Sequence, residues 1–171
     1  MFRDTNNPKH ALVVLLVSSE RRRYIPIGYI DDSVIANNKV SIIPDGTLYQ
    51  FGVLTSNVHN AWMCCVAMRM KSDYSYSLSV VYNTFPWPKA TDVQMKKIEQ
   101  TAQAILDARA LYPECSLADM YGEKMYLFPE LLKAHQNNDR AVMQAYGFSI
   151  KDMTESKCVA ELMKMYQDMI K

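Results

Sequence analysis

Glycine is scarce in this chain, with five residues among 171. A loop that holds a nucleotide or a nucleoside cofactor after a strand needs several closely spaced glycines, because the backbone must approach the ligand. Five scattered glycines can hardly build such a loop. We therefore expect neither a cofactor site nor catalytic residues in this chain.

Cysteine and histidine are also few, with four and three residues. The cysteines form no CxxC pair and have no histidine at zinc-ligand spacing, so we expect no metal site. No histidine lies beside a nucleophile in a recognisable motif, and no hydrolase triad is predicted. Reduced thiols are typical of the cytoplasm, which is the compartment we expect.

Long apolar runs and a strong net charge are missing as well. The run Ala11–Val17 has seven residues, too few to cross a bilayer, and we expect no membrane partner. The net charge of +1 gives no strong attraction of the whole chain to nucleic acid. Residues 1–90 hold nine Lys/Arg against six Asp/Glu, and residues 91–171 hold ten against twelve. Any surface for a polyanion must therefore be local.

The pattern of apolar residues predicts an α+β fold. Residues 1–90 should form a small mixed sheet with a long packed helix from Phe51 to about Met70, because apolar residues recur there three or four apart. An alternating strand is predicted from Tyr74 to Val80, stopped by Pro86. Turn residues separate the earlier strands, which are predicted at Ala11–Ser18, Tyr24–Tyr29, Ser33–Ala36 and Val40–Ile43.

Residues 91–171 should form a C-terminal helical subdomain. Thr91 and Gln94 have the form of a capping box that starts a helix ending near Leu111. Pro129 and Gly147 occupy positions that helix ends favour. Three further helices are predicted at Leu117–Tyr121, Pro129–Tyr146 and Glu155–Ile170, the last capped by Thr154.

The first candidate binding element is the basic run Arg21, Arg22 and Arg23, which follows Ser18-Ser19-Glu20 in a predicted turn. Guanidinium groups make paired hydrogen bonds to phosphate oxygens, and serine hydroxyls add neutral donors. The alternative interpretation is a solvated hairpin tip with one arginine paired to Glu20.

The second candidate combines Arg69, Lys71 and Ser72 with the predicted strand after them. Alternate side chains of a strand share a face, about 7 Å apart. Serine hydroxyls on one face can donate to or accept from base edges, although they discriminate less sharply than arginine. The three serines are Ser75, Ser77 and Ser79, and Tyr74 is included in the same candidate site. A half-exposed strand with tyrosines on the core explains the alternation equally well.

Two aromatic features are interpreted as structural. Phe85 and Trp87 lie among prolines, which indicates a rigid connector that anchors the sheet to the helices. Stacking of a flipped base on these rings is the less favoured alternative. His59 is interpreted as a hydrogen-bonded packing residue.

Several separated motifs together resemble the target recognition domain of the MmeI-like adenine DNA methyltransferases. They are, in order, Leu48–Ser56, His59, Trp62, Lys71–Tyr74 and Tyr82–Pro86. Segments of the tail are similar to the ends of the same enzymes, namely Pro129–His135, Asn138–Met143 and Met153–Ser156. One departure is that Ser75 stands where the family pattern has an arginine, which removes a plausible phosphate or guanine contact.

The resemblance implies a role as the DNA-specificity part of a larger enzyme. The intact enzyme would use S-adenosylmethionine to methylate an adenine, often with a nuclease domain. This chain would contribute residues 1–90, the C-terminal part of the recognition domain, and residues 91–171, a helical domain. Its partners would be double-stranded DNA and an upstream methyltransferase domain or subunit. The alternative is a helical protein-interaction module without DNA binding.

Overall fold

The computed structural model describes residues 8–171. Its first sheet is antiparallel, and the central strand pairs with a neighbour on each side. Leu12 in the central strand lies opposite Tyr29 and Ile43 of these neighbours. The strands are β1 (His10–Leu15), β2 (Val17–Ser18), β3 (Gly28–Asp31) and β4 (Val40–Pro44), and β3-β1-β4 is the order in this sheet.

A second antiparallel sheet begins where the first ends. Strands β5 (Met68–Met70) and β6 (Asp73–Ser75) form a hairpin, and β2 pairs with β6 in the order β2-β6-β5. The predicted strand Ala11–Ser18 is therefore divided at Leu16 between two sheets. The predicted strand Ser33–Ala36 is wrong, since that segment is an exposed loop, and strand pairing near Tyr24–Tyr29 begins only at Gly28.

The long helix predicted from Phe51 to Met70 is two helices, α1 (Leu48–Leu54) and α2 (Asn57–Val66). Ser56 is the N-cap of α2, and its side chain accepts from the backbone N–H of His59. Because this cap starts a second helix, the single helix predicted for this segment is divided. The apolar period continues across the break because both helices bury one face in the same core. Met70, the predicted end of the helix, lies in the exposed strand β5. Its apolar side chain was therefore not a sign of a buried helix face.

The predicted strand Tyr74–Val80 is also wrong beyond Ser75. Leu78–Tyr82 forms a π-helix, and Trp62 Nε1 donates to the carbonyl of Val81 there at 3.1 Å. Tyr76 is buried, as the alternation predicted. Its hydroxyl lies 3.2 Å from His59 Nε2, so the two buried polar groups are hydrogen-bonded. His59 is thus confirmed as a packing residue.

The helices predicted for the C-terminal part are confirmed. Thr91 and Gln94 make both capping-box hydrogen bonds, and Thr154 accepts from the N–H of Lys157. Gly147 has a φ of 72°, which a side chain would disfavour. The helices are α3 (Asp92–Ala110), α4 (Leu117–Met120), α5 (Pro129–Ala145) and α6 (Glu155–Met169), with a short 3-10 helix at Met125–Leu127.

Helices from the two parts of the chain share one core. A Cβ on Gly52 of α1 would lie 2.6 Å from Ile98 Cγ2 of α3, so this crossing requires glycine. Asn138 of α5 donates to the Gly52 carbonyl at 2.7 Å and accepts from Thr101 at 3.0 Å. Within residues 8–171, no helix is both long and apolar enough to span a membrane.

The connector between the two parts is anchored by its aromatic rings, as predicted. Phe85 is buried edge-on against His59, with ring centroids 4.7 Å apart. Trp87 packs against Phe85 at 5.5 Å, and the hydroxyl of Tyr146 donates to the Pro86 carbonyl at 2.8 Å. These contacts attach the connector to both α2 and the end of α5.

Candidate nucleic-acid interface

Two of the three adjacent arginines face a shared cleft of about 430 Å³, which we call the arginine cleft. Its walls come from the β2–β3 loop, the β5–β6 turn and the turn after α4. The side chains with donor groups that line it are Ser19, Arg21, Arg22 and Ser72, and the carboxylates are Glu20, Asp73 and Glu123. The structure thus brings two arginines of the first basic run together with Ser72 of the second candidate.

Arg21 is held by an ion pair that the sequence did not reveal. Its Nη1 lies 2.8 Å from Glu123 Oε1, and both side chains are largely exposed. This hydrogen bond and the charge of Glu123 raise the pKa of Arg21. The partner expected for an arginine of this run was Glu20, which instead lies 3.3 Å from Arg69.

Arg69 ties the β5–β6 hairpin to the arginine loop. Its guanidinium carbon lies 3.9 Å from the ring centroid of Tyr74. Its nitrogens donate to the Ser72 carbonyl at 2.8 Å and to the Tyr74 hydroxyl at 2.9 Å, besides contacting Glu20. Lys71 is exposed beside it, at a φ of 58° in the hairpin turn. Arg69 therefore already has three acceptors and a ring, which fix its position.

The charges around the arginine cleft are mixed rather than uniformly positive. Arg21 and Arg22 share it with three carboxylates, of which Glu20 also contacts Arg69. A phosphate that enters must share or replace an existing carboxylate, because both compete for the same guanidinium donors. The cleft can hold an anion only where its geometry supplies several donors at once.

The three serines line a second groove instead of a strand face. Ser75, Ser77 and Ser79 share a space of about 870 Å³ with Asn38 and Lys39. Ser77 and Ser79 hydroxyls are 2.8 Å apart, an arrangement set by the start of the π-helix. The three predicted serines thus line one groove, although only Ser75 lies in a strand and Ser79 lies in the π-helix.

Arg23 lies apart from the arginine cleft. It lines a crevice of about 220 Å³ together with Asn57 and Glu155. Its guanidinium lies 5.7 Å from the ring centroid of Tyr24, and its carbonyl accepts from Asn60 at 3.2 Å. The three adjacent arginines therefore do not share one site. Arg21 and Arg22 line the arginine cleft, and Arg23 lines the separate crevice.

A buried carboxylate fixes the end of the arginine loop. Asp139 of α5 accepts from the Tyr24 hydroxyl at 2.7 Å and from the backbone N–H of Asn57 at 2.8 Å. Burial raises the pKa of Asp139, and these two hydrogen bonds oppose that rise. Tyr24 also stacks on His135, with ring centroids 4.2 Å apart. We call the buried side chains of Tyr24, His135 and Asp139, together with the backbone N–H of the exposed residue Asn57, the buried junction.

A second set of contacts holds the segment that follows Tyr24. Arg109 of α3 donates to the Ile27 carbonyl at 2.8 Å and to the Tyr121 hydroxyl at 2.9 Å. The same hydroxyl lies 2.6 Å from His135 Nε2. Burial, with a smaller contribution from nearby arginines, lowers the pKa of His135 to about 3. Sequence reasoning missed these residues, and polar Asn138 and Asp139 within an apolar helix face were the signal available.

Known proteins match both parts of the chain. Residues 1–89 match the family model described as the MmeI target recognition domain, and residues 90–171 match the MmeI C-terminal domain. The DNA methyltransferase A of Bacillus subtilis strain 168 is 37% identical over 169 residues, which is 98% of this chain and 19% of the relative.

A solved structure gives the same result for the fold. It is that of the Type IIL restriction-modification enzyme MmeI in complex with DNA, with a TM-score of 0.89 and 44% identity over 96% of this chain. The match covers 22% of the MmeI chain, so the present chain spans about a fifth of the length of both relatives.

The fold and its matches define the class, a target recognition domain joined to a helical C-terminal domain of the restriction-modification type. Within that class the chain belongs to the MmeI family. The resemblance noted in the sequence is therefore confirmed, as is the α+β fold class.

Proposed function

We propose that this chain is the DNA-recognition part of an adenine DNA methyltransferase. The observation that carries the proposal is the arginine cleft, where four donor-bearing side chains from two separate segments converge. The β5–β6 hairpin that supplies part of this cleft also supplies part of the groove lined by serines. Family membership supports the same conclusion, because a relative of high similarity is described in complex with DNA.

In this proposal the arginine cleft contacts the phosphate backbone. Arg21 and Arg22 provide guanidinium donors, while Ser19 and Ser72 provide neutral donors at the same rim. Phosphate contacts fix the register of a protein on the duplex and carry no sequence information themselves. Arg69 and Lys71 are additional cations on the hairpin that supplies Ser72, and Arg69 also contacts the Tyr74 ring. Arg23 lies in a separate crevice and would contact the DNA backbone at a different point.

The serine groove is the proposed site of contact with base edges. Ser75, Ser77 and Ser79 have hydroxyls that can donate or accept, which suits tolerant reading of several bases. Lys39 at the same groove adds a cation that favours the approach of a polyanion. Variants of the serines should change the preferred DNA sequence more than the overall affinity.

The chemistry belongs to polypeptide outside this chain. We propose an upstream methyltransferase domain or subunit as the second partner, with S-adenosylmethionine as its cofactor and the exocyclic amino group of adenine as the acceptor. The chain would hold the duplex so that the catalytic domain meets the right base. The chain spans about a fifth of the length of its relatives, which is consistent with recognition and catalysis lying in separate parts of the enzyme.

Binding of the isolated chain to a labelled duplex of random sequence tests the proposal. We expect a complex that weakens steeply as salt rises, because phosphate contacts release counterions. A triple Ser75→Ala, Ser77→Ala, Ser79→Ala variant should keep most of the affinity while changing the sequences selected from a random pool. Absence of binding at low salt would contradict the proposal and would leave the protein-interaction module as the better account.

A further inference from the structure

Glu123 closes the arginine cleft from the side of the helical domain. Its Oε1 accepts from Arg21 Nη1 at 2.8 Å, across 102 residues of sequence. The two side chains are 62% and 72% exposed, so both remain accessible to a ligand from solvent. Both partners of this ion pair line the cleft.

The backbone that carries Glu123 is firmly held. Tyr121 just before it is buried and bonded to Arg109 and His135. Met125 just after it is buried, and its N–H donates to the Gly122 carbonyl at 3.2 Å. A fixed backbone with an exposed side chain keeps the carboxylate near Arg21, while rotation about the side chain can release it.

We propose that Glu123 is an intramolecular competitor of DNA phosphate for Arg21. The inference rests on the proposed function and concerns what limits the affinity of the arginine cleft for DNA. A carboxylate and a phosphate both seek the guanidinium donors of Arg21, and their like charges repel each other. Entry of a phosphate therefore displaces Glu123, and the chain binds any duplex less tightly than its arginines alone would allow.

The test compares two charge-neutralising variants, Glu123→Gln and Glu114→Gln. Glu114 is an exposed glutamate on the connection before α4 and does not line the cleft, so it controls for the loss of one negative charge. Affinity for a labelled random duplex is measured by fluorescence anisotropy. At low salt Glu123→Gln should bind roughly two- to fivefold more tightly than Glu114→Gln, as expected for releasing an exposed ion pair. This gain should shrink as salt rises.

A double-mutant cycle separates competition from a general field effect. In an Arg21→Gln background, Glu123→Gln should give no larger gain than Glu114→Gln, because the contested guanidinium is absent. An equal gain with and without Arg21 would overturn the inference, as would equal affinity of the two glutamate variants. The urea midpoint of each variant is measured as well, so that affinities are compared only between proteins shown to be folded.

The outcome also distinguishes failure of the inference from failure of the proposed function. If the parent chain binds and Arg21→Gln weakens it, but Glu123→Gln does not strengthen it, the inference alone is overturned. If the parent chain binds no duplex at low salt, both the function and the inference built on it are wrong.

Discussion

The arginine cleft and the buried junction each contain a carboxylate that accepts a hydrogen bond from a distant residue, but the two carboxylates differ in exposure. In the cleft, Arg21 and Glu123 are both exposed, and an ion pair in that setting adds little to folding stability. In the junction, Asp139 is 7% exposed and accepts hydrogen bonds from the buried Tyr24 hydroxyl and from the backbone N–H of Asn57. Exposed charges can exchange one partner for another, whereas buried ones hold the loop that presents them.

Acidification should have the largest effect, and it acts on the buried side of this comparison. Burial lowers the pKa of His59 and of His135 from 6.5 to about 3, so both are neutral in the fold. Between these values the unfolded chain binds more protons, and stability is present above 6.5 and lost as pH falls. Urea unfolding should show a loss of about 4 kcal/mol between about pH 7.5 and pH 5.

Another buried group, Asp139, reduces this loss of stability, and a histidine variant tests its origin. Asp139 acts in the opposite direction, because its raised pKa makes the folded state bind a proton more readily as pH falls. His135→Gln should remove roughly half of the loss, because one of the two titrating groups is gone. An unfolding free energy that is constant over this range would contradict the burial of both rings.

Replacement of Asp139 by alanine should have the next largest effect. The Tyr24 hydroxyl and the Asn57 N–H lose their acceptor inside the protein, which we expect to cost about 3 kcal/mol. Chemical denaturation of the purified chain measures it. Asp168→Ala, at an exposed site on α6, is the control and should change stability by less than about 0.5 kcal/mol. Similar results for the two variants would remove the distinction between the regions.

Tyr24→Phe should have a smaller effect than Asp139→Ala. It keeps the ring stacked on His135 and leaves Asp139 with the Asn57 N–H, so only one hydrogen bond to a carboxylate is lost. We expect a cost of about 1.5 kcal/mol, measured by thermal unfolding in a calorimeter. A cost as large as that of Asp139→Ala would mean that Asn57 contributes nothing to the junction.

The smallest effect on stability is expected in the cleft. Arg21→Gln combined with Arg22→Gln should leave the urea midpoint of unfolding unchanged within error, since exposed ion pairs contribute little. Lys96→Gln with Lys97→Gln removes two exposed charges on α3 and is the matched control. A marked drop in the midpoint for the arginine pair alone would show that the cleft is structural.

The helices of residues 91–171 could be predicted because their signals are local. Thr91, Pro129, Gly147 and Thr154 each act within one turn of the backbone, so the sequence contains the whole cause. The sheet region depends on pairing between distant strands, such as Ser18 with Tyr74, and its limits were less predictable. The alternation around Tyr76 arose from a buried tyrosine followed by a π-helix, which periodicity alone cannot separate from a strand.

The candidate site was predictable in part for the same reason. Arg21, Arg22 and Ser72 were identified by residue type, and the fold places them in one cleft. Glu123, the partner of Arg21, is 102 residues away in sequence. Asp139, the partner of Tyr24 at the end of the same loop, is 115 residues away from it. Glu123 lies in a turn and carries no signal of such a contact until the chain is folded. For Asp139, its place beside Asn138 on an apolar helix face was a signal of burial but not of its partner.

The salt dependence of duplex binding tests the central claim most directly. The logarithm of affinity against the logarithm of salt concentration is measured for the parent chain, for Arg21→Gln/Arg22→Gln and for Lys96→Gln/Lys97→Gln. If the arginine cleft contacts phosphates, the arginine variant should lose about two units of slope and the lysine variant far less. Equal slopes for all three proteins, each shown to be folded, would contradict the account.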